Sequence, residues 1–258
     1  MSKNYYVGIK IFLTLFLLVD IFAFAEEYWL KPMTDIHKTF KGKKGTIACF
    51  GDSITNAKEF WATIPVKVEN CKDINIKELI SYIDKSTWNL KGTKYGNCGG
   101  WKITDGLEGI DTWLKEQDPE TAIILFGTND TDLGPDPVKT KFEENLQIFV
   151  KKCLDNGTVV ILTTPPPQES DNRPKRYGDS AKKIAEQKGI PLVDYWNEIM
   201  QRRPGRTWLK TLISEDGCHP SWKGNDWSDE GLKNSGYGLR NYLTLKKYEE
   251  VYNKILKQ

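Results

Sequence analysis

Short runs of consecutive apolar residues alternate along the chain with segments in which apolar residues recur every three or four positions. The strongest runs are residues 46–50, 121–126 and 158–163, and residues 191–195 form a weaker fourth. These runs are rich in β-branched residues and show almost no polar alternation, which is typical of strands buried on both faces. They predict a mostly parallel sheet that is covered by helices.

Helical periodicity fills the intervals between these runs. Residues 137–154 show it most clearly, with a proline in the first turn after Asp136 and Gly157 beyond the end. Weaker patterns predict helices around residues 107–114, over 177–188, and from Tyr248 toward the C-terminus. The alternation predicts an α/β fold, a three-layer α/β/α sandwich with a mostly parallel, flavodoxin-like central sheet. No repeat or linker divides residues 45–258, so they are expected to form a single domain.

The first 25 residues have the pattern of a secretory signal peptide. Lys3 and Lys10 flank a polar start, residues 11–19 are mostly apolar, and Ala23-Phe24-Ala25 is a small-x-small cleavage site. A membrane anchor is the alternative, but the apolar stretch is shorter than the ~20 residues of a spanning helix and Asp20 interrupts it. The pattern therefore predicts a secreted or periplasmic protein, cleaved after Ala25 and without a stable membrane anchor.

Residues 26–44 are polar and rich in lysine, and we expect them to be a solvated lead-in with an exposed His37. The remaining composition is ordinary for a globular protein, with 39% hydrophobic and 28% charged residues. The formal net charge of +2 gives no indication of a polyanionic partner. No nucleic-acid partner is expected, and the oligomeric state stays open.

Five cysteines follow the predicted signal peptide, and export would expose them to oxidising conditions. One or two disulfides are therefore compatible with the sequence, and a bridge between Cys98 and Cys218 is one option. The spacing contains no CxxC pair, and the chain has no HExxH string. We expect no metal and no cofactor. The cysteines are Cys49, Cys71, Cys98, Cys153 and Cys218.

Two short strings supply a serine, a histidine and an aspartate. GDSIT places Ser53 just after the first predicted strand, and DGCHP contains Asp216 and His219. A serine hydroxyl needs a neighbouring base to become a good nucleophile, and that base needs a partner to orient it. The chain has only two histidines, so His219 is the natural base, with Asp216 as its partner. Ordinary turn chemistry is the alternative for each string.

Two further polar sites fall on loops expected at the same edge of the sheet. Gly100 lies in GNCGGW, and Asn129 lies in GTND after the strand predicted at 121–126. Ligands of open parallel sheets bind beyond the carboxyl ends of the strands. A strand end and a turn are the structural alternatives for Gly100 and Asn129, and a helix cap is the alternative for Asp216. We expect Asp52 to be structural, binding backbone near Ser53.

These strings, in this order, resemble the blocks of the SGNH hydrolases, an esterase superfamily often called GDSL-like. The resemblance covers essentially residues 45–258. It implies that Ser53 is the nucleophile, that His219 is the base, and that Asp216 orients it. It also implies an oxyanion hole made by the backbone N–H groups of Ser53 and Gly100 and the amide of Asn129.

The sequence departs from the family pattern after DGCHP, where residues 221–235 precede the final helix. This insertion contains Trp222 and Trp227. Their indoles could stack on sugar faces, or they could pack the loop onto the domain. We expect a secreted serine esterase that removes acetyl groups from carbohydrate. A lipase, lysophospholipase or thioesterase on the same scaffold, and a non-catalytic carbohydrate-binding protein, are the alternatives.

Overall fold

Four parallel strands form the central sheet, in the order β1-β2-β3-β4. The structure is a computed structural model that describes residues 28–130, 137–170 and 172–258; the predicted signal peptide lies outside these residues. Thr121 pairs with Ile47 on one side and with Val159 on the other. The strands are β1 (Ile47–Gly51), β2 (Thr121–Leu125), β3 (Val159–Thr163) and β4 (Leu192–Val193).

Helices surround this sheet. The helix Pro137–Asp155 begins where the periodicity predicts, whereas Ile103–Gln117 and Arg173–Lys188 begin four residues before their predicted starts. The last long helix starts at Gly236, directly after the insertion 221–235 as the sequence predicts, and it continues into a π-helical turn, Tyr252–Leu256. The helices are α1 (Leu30–His37), α2 (Ser53–Asn56), α3 (Ile76–Tyr82), α4 (Ile103–Gln117), α5 (Pro137–Asp155), α6 (Arg173–Lys188), α7 (Tyr195–Arg202) and α8 (Gly236–Val251).

The core lies on both sides of the sheet. Helices α4, α5 and α6 pack side by side and contact β1 and β3, whereas α1 contacts β3 and α8 contacts β4. Every residue of β1, β2 and β3 is buried, which explains why their sequences lack polar alternation. The predicted α/β fold with a parallel sheet between helices is confirmed.

The described part of the predicted lead-in, residues 28–44, is not solvated throughout. Trp29, at the N-cap of α1, and Met33, within α1, are buried, and α1 contacts β3 and the C-terminal turn. Burying side chains of this size is worth about 1.5–3 kcal/mol each. His37 is also not free in solvent, because its Nε2 lies 2.9 Å from Oε1 of the buried Glu120. The prediction was wrong because surrounding lysines masked the helical spacing of Trp29 and Met33.

The five cysteines are free thiols, and the option of a Cys98–Cys218 disulfide is not realised in the structure. The Sγ atom of Cys218 lies 3.1 Å from Nε2 of Gln168 instead. Cys49 and Cys153 are buried in the core. Burial raises the pKa of Cys49 to about 11, so this thiol behaves as a small apolar side chain.

In the described part of the chain, no helix has both the length and the apolar character needed to cross a membrane.

Candidate active site

The turn from β1 into α2 places Ser53 at the carboxyl edge of the sheet. A Cβ atom on Gly51 would lie 2.3 Å from the carbonyl oxygen of Leu125, so a glycine is needed for β1 to end so close to β2. Asp52 follows as the N-cap of α2, where its Oδ1 accepts a hydrogen bond of 2.9 Å from the N–H of Ile54. The expected structural role of Asp52 is confirmed.

Ser53, His219 and Asp216 form one chain of hydrogen bonds. The Oγ of Ser53 lies 2.9 Å from Nε2 of His219, and Nδ1 of His219 lies 2.7 Å from Oδ2 of Asp216. In this arrangement the carboxylate fixes the ring with its proton on Nδ1, which leaves Nε2 free to accept the serine proton. Ser53 lies 166 positions before His219 along the chain, so only the fold brings the serine to the other two residues.

The DGCHP loop is shaped around Asp216. Its second oxygen, Oδ1, accepts hydrogen bonds from Ser214 Oγ at 2.7 Å and from the N–H groups of Cys218 and His219 at 2.9 Å. Partial burial alone would raise the pKa of Asp216, but these bonds and the one to the His219 ring outweigh it and hold that pKa well below its usual range. Gly217 has a φ of +72°, which suits a residue without a side chain. Asp216 is therefore ionised at neutral pH.

A buried asparagine fixes the glycine-rich loop beside Ser53. The side chain of Asn97 donates to the carbonyl oxygens of Cys49 at 2.9 Å and Leu90 at 3.0 Å, and it accepts from the N–H of Gly92 at 3.0 Å. Sequence reasoning missed this residue. The sequence shows only that Asn97 belongs to the glycine-rich string GNCGGW. It gives no sign that the amide would reach the backbone of β1.

Of the two glycines in the string GNCGGW that precede Trp101, Gly99 lies closer to the Ser53 side chain than Gly100 does. A Cβ atom on Gly99 would lie 4.0 Å from Cβ of Ser53, whereas one on Gly100 would have no heavy atom within 4 Å. Both glycines are exposed. Gly99 is thus the neighbour of the serine, and a side chain at Gly100 would point into open space.

The loop after β2 is tied to the glycine-rich loop. Asn129 donates from Nδ2 to the carbonyl oxygen of Trp101 at 3.0 Å, which leaves a second amide hydrogen for a ligand. Asp130, which sequence reasoning also missed, accepts from the N–H groups of Ile103 at 3.0 Å and Gly127 at 3.1 Å. Burial raises the pKa of Asp130 to about 7 in spite of these bonds.

The loop after β3 joins the Asn129 loop to the His219 loop. Gln168 donates from Nε2 to the carbonyl oxygen of Thr128 at 3.3 Å and lies 3.1 Å from Sγ of Cys218. The N–H of Glu169 donates to the carbonyl oxygen of Gly217 at 2.8 Å. Loops that follow β1, β2 and β3 therefore meet the DGCHP loop at one edge of the sheet, as expected for a parallel α/β sheet.

The two tryptophans of the insertion differ in solvent exposure. Trp227 is only 4% exposed and packs edge-on against Tyr242, so it packs the loop onto the domain and is not a stacking surface for sugars. Backbone hydrogen bonds of 2.9 Å between Glu69 and residues 225 and 227 hold this part of the insertion against the domain. Trp222, three residues after His219, is 39% exposed. Sequence alone could not separate them, because the contacts that bury Trp227 come from distant segments.

Substituting Asp52 is expected to change how stability depends on pH. Burial raises the pKa of Asp52 to about 6, above the value of about 3.9 in an unfolded chain. The stabilisation from this tighter proton binding is complete below about pH 4 and is lost as the pH rises through about 6.

Asp52→Asn keeps an acceptor for Ile54 but does not titrate. The unfolding free energy of the variant minus that of the wild type should therefore rise by about 2 kcal/mol between about pH 4 and about pH 7. Denaturant unfolding at both pH values measures this difference. A difference that does not change with pH would show that Asp52 ionises normally in the folded protein.

Among the described residues, no group of histidine, cysteine and carboxylate side chains is arranged to hold a metal ion.

Comparison with known proteins assigns the family. Among curated proteins, the uncharacterized lipoprotein YqeF of Bacillus subtilis (strain 168) is 26% identical over 179 residues, which are 56% of this chain and 73% of YqeF. Among solved structures, the lipase/acylhydrolase from Enterococcus faecalis has a TM-score of 0.57 at 20% identity, covering 82% of this chain and 98% of that one. The acetyl xylan esterase AlAXEase has a TM-score of 0.51 at 18% identity, covering 78% of this chain and 98% of that one.

These two structures show that the fold is shared. The model of the GDSL-like lipase/acylhydrolase family matches residues 49–227, a segment that includes Ser53, Asn129 and His219. Since this segment is more than half of the chain, the chain belongs to the GDSL-like lipase/acylhydrolase family, whose members hydrolyse esters.

Proposed function

We propose that the protein is a serine esterase that cleaves carboxylic esters through an acyl-enzyme on Ser53. The observation that carries this proposal is the chain of hydrogen bonds from Ser53 Oγ to His219 Nε2 at 2.9 Å and from His219 Nδ1 to Asp216 at 2.7 Å. A binding protein would gain nothing from a serine held in this way. An enzyme gains a nucleophile at neutral pH.

The reaction proceeds in two halves. His219 takes the proton of Ser53 as the serine oxygen attacks the carbonyl carbon, and the ionised Asp216 stabilises the imidazolium. The imidazolium then gives its proton to the leaving alcohol as the carbon–oxygen ester bond breaks, and an acyl-serine remains. Water attacks the acyl-serine while His219 accepts its proton, and the acid and free Ser53 are released.

The negative charge of each tetrahedral intermediate needs donors that are already in place. We assign this role to the backbone N–H of Ser53, the backbone N–H of Gly100 and the free amide hydrogen of Asn129. Asn129 is held by its bond to Trp101, and Gly99 brings the glycine-rich loop next to Ser53. Losing one such donor in a comparable enzyme costs about 3 kcal/mol of transition-state stabilisation.

The substrate we propose is an acetylated carbohydrate met outside the cytoplasm. The indole of Trp222 supports this, because it lies on the loop that follows His219 and is partly exposed to solvent, and an exposed indole is a suitable stacking partner for a sugar. The fold is compatible with such a substrate, since an acetyl xylan esterase is built on it. Export is supported by the signal-peptide pattern of residues 1–25 and by a relative that is named a lipoprotein.

Acetate release from acetylated xylo-oligosaccharides tests the substrate, with p-nitrophenyl acetate as a sugar-free ester. Removing the indole with Trp222→Ala should raise KM for the oligosaccharide by about fivefold, the worth of one aromatic contact, and leave KM for p-nitrophenyl acetate unchanged. Ile148→Ala is a matched control, since Ile148 is a half-exposed apolar residue on α5. Activity confined to long-chain acyl esters would reject the carbohydrate substrate and favour a lipase.

A further inference from the structure

Two cationic side chains hold the carbonyl end of the turn that carries Ser53. Helix α2 has only four residues, so most of its carbonyl groups lack partners within the helix. Arg240 donates from Nη1 to the carbonyl oxygen of Ile54 at 2.7 Å and from Nη2 to Oγ1 of Thr55 at 3.1 Å. Lys91 donates from Nζ to the carbonyl oxygen of Thr55 at 2.8 Å.

Arg240 is buried without an ion-pair partner. Its side chain is completely inaccessible to solvent, and its guanidinium lies 3.5 Å above the centre of the Phe60 ring. Among the described carboxylates, none lies within ion-pair distance of Arg240 or Lys91. The Nε of Arg240 also lacks a hydrogen-bond partner. Burying a cation in this way is costly, so an apolar side chain would serve stability better.

Arg240 and Asp52 are buried side chains of opposite charge that both bind α2. Asp52 is fully buried at the start of α2, directly before Ser53, and its negative charge opposes the oxyanion that forms there. Burial raises the pKa of Asp52, and the positive charge of Arg240 acts in the opposite direction.

We propose that Arg240, assisted by Lys91, is a positioning residue for Ser53, which anchors the carbonyl end of α2 and offsets the charge of Asp52 when the oxyanion forms. This inference rests on the proposed role of Ser53 as nucleophile. Arg240 touches no substrate in this scheme. It acts through its hydrogen bonds to Ile54 and Thr55 and through its positive charge, which opposes that of Asp52.

The test compares kcat and KM for p-nitrophenyl acetate in Arg240→Gln, Arg240→Lys and Lys91→Gln, well below the melting temperature of each variant. We expect Arg240→Gln to lower kcat about tenfold with little change in KM, because the charge acts on the transition state. Arg240→Lys should recover most of kcat, since it keeps the charge. Lys91→Gln should lower kcat about threefold.

Ile255→Ala is the control for lost stability, because Ile255 is buried in the C-terminal turn. It should lower the melting temperature and leave kcat unchanged. Wild-type kcat in Arg240→Gln, or an equal loss of kcat in Ile255→Ala, would overturn the proposal. If Arg240→Gln does not fold, a wild-type kcat in Lys91→Gln overturns it instead. An active Ser53→Ala would refute the proposed function, whereas normal kcat in Arg240→Gln with an inactive Ser53→Ala refutes only this inference.

Discussion

Replacing Ser53 with alanine is expected to lower kcat for p-nitrophenyl acetate by about 10⁴-fold to 10⁶-fold. The substitution removes the oxygen that attacks the carbonyl and leaves His219 and Asp216 without a nucleophile to activate. It removes only a hydroxyl from a partly exposed position, so the melting temperature should stay close to that of the wild type. Hydrolysis rates and thermal unfolding of the same preparation check both expectations.

Ser81→Ala is the matched control for this substitution. Ser81 lies on the exposed surface of α3, where its hydroxyl bonds only to the carbonyl oxygen of Lys77. Its loss should leave kcat unchanged. A Ser53→Ala variant that hydrolyses the ester at the wild-type rate would remove the catalytic assignment and leave the non-catalytic interpretation standing.

Asp216→Asn is expected to lower kcat about a thousandfold. An amide can still accept from Ser214 and from the N–H groups of Cys218 and His219, so the loop should keep its shape. The amide cannot stabilise the imidazolium, and it favours the ring tautomer in which Nε2 carries the proton. A buried aspartate in this role is worth about 10⁴, and we expect less here because Asp216 is half-exposed.

Steady-state kinetics of Asp216→Asn beside Asp179→Asn measures this effect. Asp179 is also half-exposed and also pairs with a basic side chain, Lys175, but it lies on α6 away from the site. A loss of less than about fivefold in Asp216→Asn would show that Asp216 holds the loop without contributing to the proton transfer.

Local sequence patterns predicted the strands, because strand formation here depends on the apolar character of neighbouring residues. Three apolar runs predicted β1, β2 and β3 because strands buried on both faces need no polar alternation. A second rule, that ligands of parallel sheets bind beyond the carboxyl ends of the strands, placed Ser53 and Asn129 at one edge of the sheet. The small number of histidines pointed to His219 and its neighbour Asp216 as the partners of Ser53, and the resemblance to the SGNH blocks implied the same roles.

Residues whose contacts are far away along the chain could not be predicted from the sequence. Asn97 and Asp130 hold the loops around Ser53 through bonds to backbone groups on other segments, and Arg240 reaches α2 from α8. The burial of Trp227 likewise depends on Glu69, which is distant along the chain, and on Tyr242, which belongs to the next helix. A pattern in sequence reports periodicity and local chemistry, and it does not report which distant groups meet.

Covalent labelling of Ser53 tests the central claim most directly. A fluorophosphonate reacts with a serine only where a base activates the oxygen and donors stabilise the oxyanion. We predict one adduct per chain, located on the peptide that contains Ser53 by mass spectrometry, and no adduct after His219→Ala. An adduct on another residue, or equal labelling of Ser53 in His219→Ala, would contradict the proposal that His219 activates Ser53 for attack.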